Sequence, residues 1–265
     1  MTTTTTHAFR DSRTMLRRNM RRMTRSPIAL MSVVAVPVVL LLLFVYALGE
    51  TLGAGLGGTS AGRSEYVNYV FPGILLFGIL GSPQVTAITV AMDMKEGIIG
   101  RFKTMAISRA SVLNGHVIGN TVQTTIGLAI VVGFGLLVGL RPSAGVVEWI
   151  AAAALMLAVT IALTWLGVAF GLVAKTVEGA SNLPMPLMLL PFLGSGFVPT
   201  EGMPSGLAWF AEHQPLTPIM DTLRGLLSGT AIGNEWMVAV AWCVGIGLVG
   251  YLWSKKLYNR EPTTA

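Results

Sequence analysis

Long apolar runs separated by short polar segments set the pattern of this chain. Six of these runs are long enough to cross a membrane as helices, for which about 20 residues suffice. They cover residues 28–48, 66–92, 112–138, 149–174, 182–198 and 236–254. The fifth run is rich in proline, so its second half is not expected to form a continuous helix. The pattern predicts an all-α integral membrane protein with six transmembrane helices in residues 28–254.

The composition supports a membrane protein. Hydrophobic residues make up 53% of the chain and charged residues only 11%, too few to cover the surface of a soluble domain of this size. The single cysteine, Cys243, lies inside an apolar run, which excludes a disulfide framework and a thiolate metal site. We therefore predict no metal site. Residues 255–265, which follow the last apolar run, are expected to form a cytoplasmic tail.

The N-terminal segment, residues 1–27, is strongly basic and is predicted to begin with a disordered threonine run. From His7 to Arg25, apolar residues fall on a narrow arc of a helix and arginines cover the rest, which predicts an amphipathic helix in the lipid headgroup layer. The residues expected to contact the membrane interface include Arg13, Leu16, Arg17, Met20 and Arg21. Nucleic-acid binding and a signal peptide are the alternatives. Nucleic-acid binding is disfavoured because an apolar span follows directly, so that lipid headgroups are the nearer anions. A signal peptide is disfavoured because no cleavage site follows the apolar run.

Positive charges are distributed unevenly between the two predicted sides of the membrane. With both termini in the cytoplasm, fifteen of the 18 Lys and Arg residues lie in cytoplasmic segments, and only Arg63, Arg141 and Arg224 lie outside. Cytoplasmic segments of membrane proteins carry such an excess of Lys and Arg. The count supports six spans in a cell membrane, which we expect to be a bacterial inner membrane.

A charged segment, residues 93–109, connects the second and third spans. Its ionised groups would each cost several kcal/mol in hydrocarbon, so the whole segment is expected to lie in water. Ile98, Phe102 and Met105 recur at helical spacing, which predicts a short amphipathic helix parallel to the membrane. Such a helix can dock on a soluble partner, and a solvated loop is the alternative.

The segment between the fifth and sixth spans, residues 201–235, is more apolar than a plain loop. Its hydrophobic residues suggest two short helices separated by Pro215 and Pro218, which re-enter the edge of the bilayer on the extracellular side. These helices would form a lid over the bundle. A folded cap without a gating role is the alternative.

Polar residues inside the predicted spans are few. Gln84 lies in the second span, and Asn120, Gln123 and Thr124 lie close together in the third. They are candidates to line a substrate pathway, but hydrogen bonds that hold neighbouring helices together are the simpler interpretation. The lone His116 is interpreted as a satisfied interfacial group.

Several classes of function are disfavoured. No Asp, Glu, Lys or Arg lies in a predicted span, which removes the usual carriers of ion coupling. We find no catalytic motif, and GLVAKT at 171–176 lacks the glycine that must precede the lysine of a phosphate-binding loop. The chain is therefore not expected to be an enzyme or to hydrolyse ATP alone.

Two motifs resemble those of ABC-2 type permeases, especially the branch of daunorubicin-resistance membrane subunits. The first is DMKEGIIGRFKTMAISR at 93–109, with its acidic residue, glycine, Arg-Phe and final Ser-Arg. The second is FLGSGFVPTEGMP followed by HQPLTPIMDTLRGLLSG, with matching positions Pro199, Met203, Pro204, Pro215, Leu216, Thr217, Arg224 and Gly229. The resemblance covers nearly the whole chain. Ala106 is a departure, because relatives often have proline there.

The resemblance implies that the transport pathway and the ATPase activity lie in different chains. Two permease chains, identical or paralogous, would form a pathway, and two cytoplasmic ATPase subunits would bind ATP and magnesium and drive export of a hydrophobic drug or lipid-like substrate. Coupling to the ATPase is assigned to Glu96, Gly97, Gly100, Arg101, Phe102 and Arg109. The extracellular gate is assigned to Pro199, Met203, Pro204, Pro215 and Arg224. Membrane lipids are further expected partners, and nucleic acid is not.

Two alternatives from other classes remain. A secondary transporter would move its substrate without ATP and would stop when the ion gradient collapses. A membrane scaffold or assembly protein would show no substrate-dependent flux. The strongest argument for this alternative is the scarcity of polar residues that could line a pathway.

Overall fold

The computed structural model describes residues 27–49, 63–97, 109–197 and 203–259, and these ranges contain helices but no strand. The first half consists of α1 (Pro27–Leu42), which continues as a π-helix (Leu43–Leu48), α2 (Arg63–Lys95), α3 (Arg109–Val138) and α4 (Val146–Val173). The second half consists of α5 (Val177–Asn182), a 3₁₀ helix (Met185–Leu193), α6 (Ser205–His213), α7 (Leu216–Ser228) and α8 (Glu235–Tyr258).

Four of these helices, α2, α3, α4 and α8, are long and apolar enough to cross a membrane, and α1 contributes a shorter apolar helix. The prediction of an all-helical membrane fold is confirmed at this level. The fifth predicted span is not a single helix, since α5 ends at Asn182 and a 3₁₀ helix with Pro191 inside it follows. The prolines explain this break, because each lacks the backbone N–H that an α-helix needs.

Helix α2 lies at the centre of the bundle, where it packs against α1, α3, α4 and α7. In its most apolar stretch 67% of the residues are buried, compared with 22% in α8. Residues on several faces of α2 belong to the core, among them Tyr66, Phe71, Ile74, Leu75 and Ile79. A helix buried on all sides holds the fold together, whereas α8 leaves most of its surface for lipid.

Glycines of α4 allow it to approach α2 closely. A Cβ atom on Gly167 would lie 2.6 Å from the Cα and the carbonyl oxygen of Pro83, and a Cβ on Gly171 would lie 2.7 Å from the carbonyl oxygen of Ala87. Small residues spaced four apart, like this pair, let the backbones of two membrane helices approach closely. The central helix pair therefore depends on glycine at these positions.

We expect Gly167→Ala to lower the stability of the bundle by about 1 to 3 kcal/mol, because the new methyl group meets backbone atoms that cannot rotate away. Gly133→Ala in α3 is the matched control, since a Cβ there meets nothing within 4 Å. Thermal unfolding of both variants in detergent measures the difference. Equal melting temperatures would contradict the close α2–α4 contact.

The bundle has two ends that differ in composition. At one end, the last turns of α2, α4 and α8 meet the first turns of α3, and Val90, Leu113, Val168 and Tyr258 form a buried cluster. We call this the Lys95 end, after the last residue of α2. At the other end, which we call the Arg224 end, α7 packs against the first turns of α2 and the residues after the 3₁₀ helix.

The two short helices predicted between the fifth and sixth spans are present as α6 and α7, but Pro218, which was expected to separate them, lies inside the first turn of α7. Most of α7 is buried, and its apolar face belongs to the main core through Ile219, Leu223 and Leu226. Helix α6 is more open, with Trp209 64% exposed. The pair therefore forms an integral cover of the Arg224 end.

Candidate functional site

The Lys95 end carries part of the segment that the sequence assigns to coupling. Helix α2 ends at Lys95, and Glu96 and Gly97 follow as an exposed turn in which Gly97 has a φ of 68°. This left-handed conformation favours glycine and ends the helix. Arg109 begins α3, and its side chain lies outside the described part of the chain, as do Gly100, Arg101 and Phe102. The predicted helix over the connecting residues likewise lies outside the described ranges.

A buried contact between an imidazole and a carboxylate joins α2 and α3 beside this segment. Nε2 of His116 lies 3.2 Å from Oδ2 of Asp93, and the two side chains are only 4% and 2% exposed. The expectation that Asp93 lies in water is wrong, because α2 continues to Lys95 and carries Asp93 on the face that packs against α3. His116 is a satisfied group, as expected, and its partner is this carboxylate.

Polar residues in the middle of the bundle form contacts between helices. The amide of Asn120 in α3 donates to the carbonyl oxygen of Ser82 in α2 at 2.8 Å and to the hydroxyl of Thr86. Among the described residues, Nε2 of Gln123 and Oγ1 of Thr124 are buried without a hydrogen-bond partner. The geometry of Asn120 favours a role in helix association over contact with a substrate.

Gln84 lies in different surroundings from the α3 residues. Its amide donates to the carbonyl oxygen of Ser181 at 3.0 Å and to the Ser181 hydroxyl at 3.2 Å. It also lines a cavity of about 240 Å³ between α1, α2 and the 3₁₀ helix. The other lining residues are mostly apolar and include Val33, Val36, Pro37, Phe77 and Met188. Gln84 is thus the one member of the predicted pathway set that borders this cavity.

A series of aromatic rings in mutual contact extends from this cavity toward the Arg224 end. Phe77, which lines the cavity, meets Phe192 edge to face at a centroid distance of 5.7 Å. Phe197 stacks on both Phe192 and Phe44, each at 4.7 Å. These four rings, which we call the phenylalanine plug, join the π-helical end of α1, α2 and the residues around the 3₁₀ helix.

Arg224 anchors a hydrogen-bond network beyond the plug. Its Nη2 donates to the carbonyl oxygen of Ser195 at 2.6 Å, its Nε donates to that of Tyr69 at 3.3 Å, and its Nη1 pairs with Asp221. The guanidinium group lies over the Tyr69 ring, 4.1 Å from its centroid. Ser195 in turn donates from its hydroxyl to Asp221 at 2.8 Å. Arg224 therefore ties α7 to α2 and to the residues after the 3₁₀ helix.

Three of the other predicted gate residues lie at the starts of α6 and α7. Met203 precedes α6, Pro204 caps it, and Pro215 caps α7. Pro199 lies outside the described residues. Sequence analysis missed Tyr69, Ser195 and Asp221 as partners of Arg224, although the spacing of Asp221 and Arg224 on one helix face was a signal for that pair.

The geometry defines a class of protein, a helical membrane protein whose bundle borders a small apolar cavity, is covered at one end and carries a charged connecting segment at the other. Comparison with known proteins identifies the family. Residues 10–227 match the family model described as ABC-2 type transporter. The chain belongs to the ABC-2 type transporter family and is a non-catalytic, multi-pass membrane permease component of an ABC transporter.

Similar proteins agree with this family. The chain is 28% identical to the daunorubicin resistance ABC transporter permease protein DrrB1 of Streptomyces coeruleorubidus over 252 residues, which cover 94% of this chain and 86% of the relative. It is 23% identical to the probable doxorubicin resistance ABC transporter permease protein DrrC of Mycobacterium tuberculosis over 197 residues, covering 73% and 70% of the two chains. It is also 22% identical to ABC transporter G family member 20 of Dictyostelium discoideum over 207 residues, covering 72% of this chain and 27% of the relative.

Proposed function

We propose that this permease exports a hydrophobic drug or lipid-like substrate, using ATP hydrolysed by two copies of a separate cytoplasmic ATPase. The observation that carries the direction of transport is the cover at the Arg224 end. There the cavity is followed by the phenylalanine plug and then by the Arg224 network. A pathway closed on this side, with its charged segment at the other, suits a resting exporter that awaits ATP.

The membrane orientation follows from the charges. The Lys95 end also holds Lys255 and Lys256 in the last turn of α8, and it is the end to which the basic N-terminal segment is assigned. The positive-inside rule places such an end in the cytoplasm. In this arrangement α1, the region of α5 and the 3₁₀ helix, and the four long helices supply six crossings, with α6 and α7 on the outside.

The cavity supports the proposed substrate class. Its wall is apolar except for Gln84, so it suits a ligand with a large hydrophobic surface and one hydrogen-bonding group. Two similar proteins are named for resistance to daunorubicin and doxorubicin. The volume of about 240 Å³ is small for such a ligand, since drug-sized pockets measure about 300 to 1,000 Å³. A second permease copy that supplies the facing wall would complete the site.

Transport into inverted membrane vesicles tests the proposal. We expect vesicles with this permease and its ATPase to accumulate a hydrophobic cationic dye only when ATP is present. An ATPase variant that cannot hydrolyse ATP is the control, and it should abolish accumulation. Accumulation that persists without ATP and collapses with the ion gradient would identify a secondary transporter. No accumulation with any dye or lipid probe, despite a stable complex, would favour a scaffold.

A further inference from the structure

The buried Asp93–His116 contact stands out because charge is rare in this bundle. Its two atoms are 3.2 Å apart, and both side chains are nearly inaccessible to water. One helical turn away from each partner, Val90 and Leu113 belong to an apolar cluster with Val168. Withdrawing two ionisable groups from water carries a cost that often cancels the attraction between them, so stability alone is a weak reason for such a pair.

The position of the contact suggests a different role. Asp93 lies in the last turn of α2, and His116 lies about two turns into α3. The connecting segment therefore leaves and re-enters the bundle on either side of this contact. Any force that a docked ATPase applies to residues 98–108 reaches α2 and α3 where Asp93 and His116 join them.

The chemistry of the contact decides how that force is passed on. Apolar contacts are non-directional, whereas a hydrogen bond to a carboxylate fixes the distance and direction between its partners. With the pair intact, the parts of α2 and α3 next to the connecting segment move together. Helix α2 also carries Phe77, Gly78, Gly81 and Gln84 into the wall of the cavity, so its movement changes the shape of the cavity.

We propose that Asp93 and His116 are positioning residues that make α2 and α3 respond as one unit to the ATPase, an inference that rests on the proposed function. The pair touches neither the substrate nor ATP. Its role is to convert a movement of the connecting segment into a movement of the cavity wall. Loss of the pair should therefore lower the amount of substrate transported per ATP hydrolysed, without preventing assembly with the ATPase.

The test compares three variants in vesicles that contain the complete complex with its ATPase. Asp93→Asn removes the charge, Asp93→Leu with His116→Phe replaces the pair by apolar side chains, and Asp93→His with His116→Asp exchanges the partners. The readouts are the melting temperature, co-purification of the ATPase, and the amount of dye transported per ATP hydrolysed. We expect the first two variants to retain the ATPase and to transport about fivefold less dye per ATP. The exchanged pair should recover at least about half of the wild-type ratio, because it restores the contact between a carboxylate and an imidazole.

Asn120→Ala is the matched control, since it removes another buried polar contact between the same two helices, further from the connecting segment. It should lower the melting temperature and leave the transport per ATP near that of the wild type.

If the single Asp93→Asn variant fails to fold, the apolar double variant carries the test, because apolar replacement of a buried ion pair is often neutral for stability. A stable apolar variant with the wild-type ratio would overturn the inference. If the wild-type chain itself transports without ATP or without an ATPase partner, the proposed function fails instead.

Discussion

Arg224→Ala is expected to reduce ATP-driven transport about tenfold or more and to increase passive leakage of the dye. The side chain is 19% exposed, and its guanidinium group satisfies the carbonyl oxygens of Ser195 and Tyr69 and the carboxylate of Asp221. A hydrogen bond to a charged group is worth about 1.5 to 3 kcal/mol. Losing even one weakens closure of this end about tenfold, since 1.4 kcal/mol corresponds to about a factor of ten.

Two further variants make this result specific. Arg224→Lys should recover little transport, because an ammonium group cannot bridge three acceptors with the geometry of a guanidinium. Arg141→Ala is the matched control, since Arg141 is an exposed arginine at the same end, and its side chain donates to the nearby carbonyl oxygens of Leu136 and Leu140. Vesicle uptake and dye retention should separate Arg224→Ala from this control. Equal values for both would show that the network does not hold the outer end closed.

Arg101→Glu is expected to abolish association with the ATPase while leaving membrane insertion intact. Arg101 lies in the connecting segment, is one of the residues that we expect to couple the permease to the ATPase, and is outside the described residues. Reversing a charge within an interface places like charges together, which costs several kcal/mol and should weaken association about a hundredfold or more.

Affinity purification of the ATPase through a tagged permease measures this effect. Lys256→Glu is the control, because it reverses an exposed charge at the same end, in the last turn of α8, and should leave association intact. The yield of permease in the membrane fraction reports insertion. If Arg101→Glu retains as much ATPase as the wild type, the connecting segment is not part of the docking surface.

The helices were largely predictable from the sequence, because burial in a membrane requires long apolar runs. An interruption of the fifth span was also predictable from its prolines, which lack a backbone donor, but it was expected in the second half of the span, whereas the α-helix already ends at Asn182. The short helices α6 and α7 followed from apolar residues between prolines. All of these are local signals, which a single stretch of chain carries by itself.

The contacts within the candidate site were harder to predict, because they join distant parts of the chain. Tyr69 donates to the carbonyl oxygen of Ser195, 126 residues away, and no local pattern links them. From the sequence, Asp93 was expected to be solvated, because the apolar run ends at residue 92 and does not show that α2 continues to Lys95. Gln84 and Asn120 looked alike in sequence, yet packing places Gln84 beside a cavity and Asn120 between two helices.

The 3₁₀ helix has a mechanical consequence for any pathway beside it. Rewinding a 3₁₀ helix into an α-helix shortens it by about 0.5 Å per residue. Pro191 opposes this conversion, because a proline ring inside an α-helix crowds the carbonyl group four residues earlier. A conformational change that passes through this segment is therefore expected to tilt or rotate it with little change in its length.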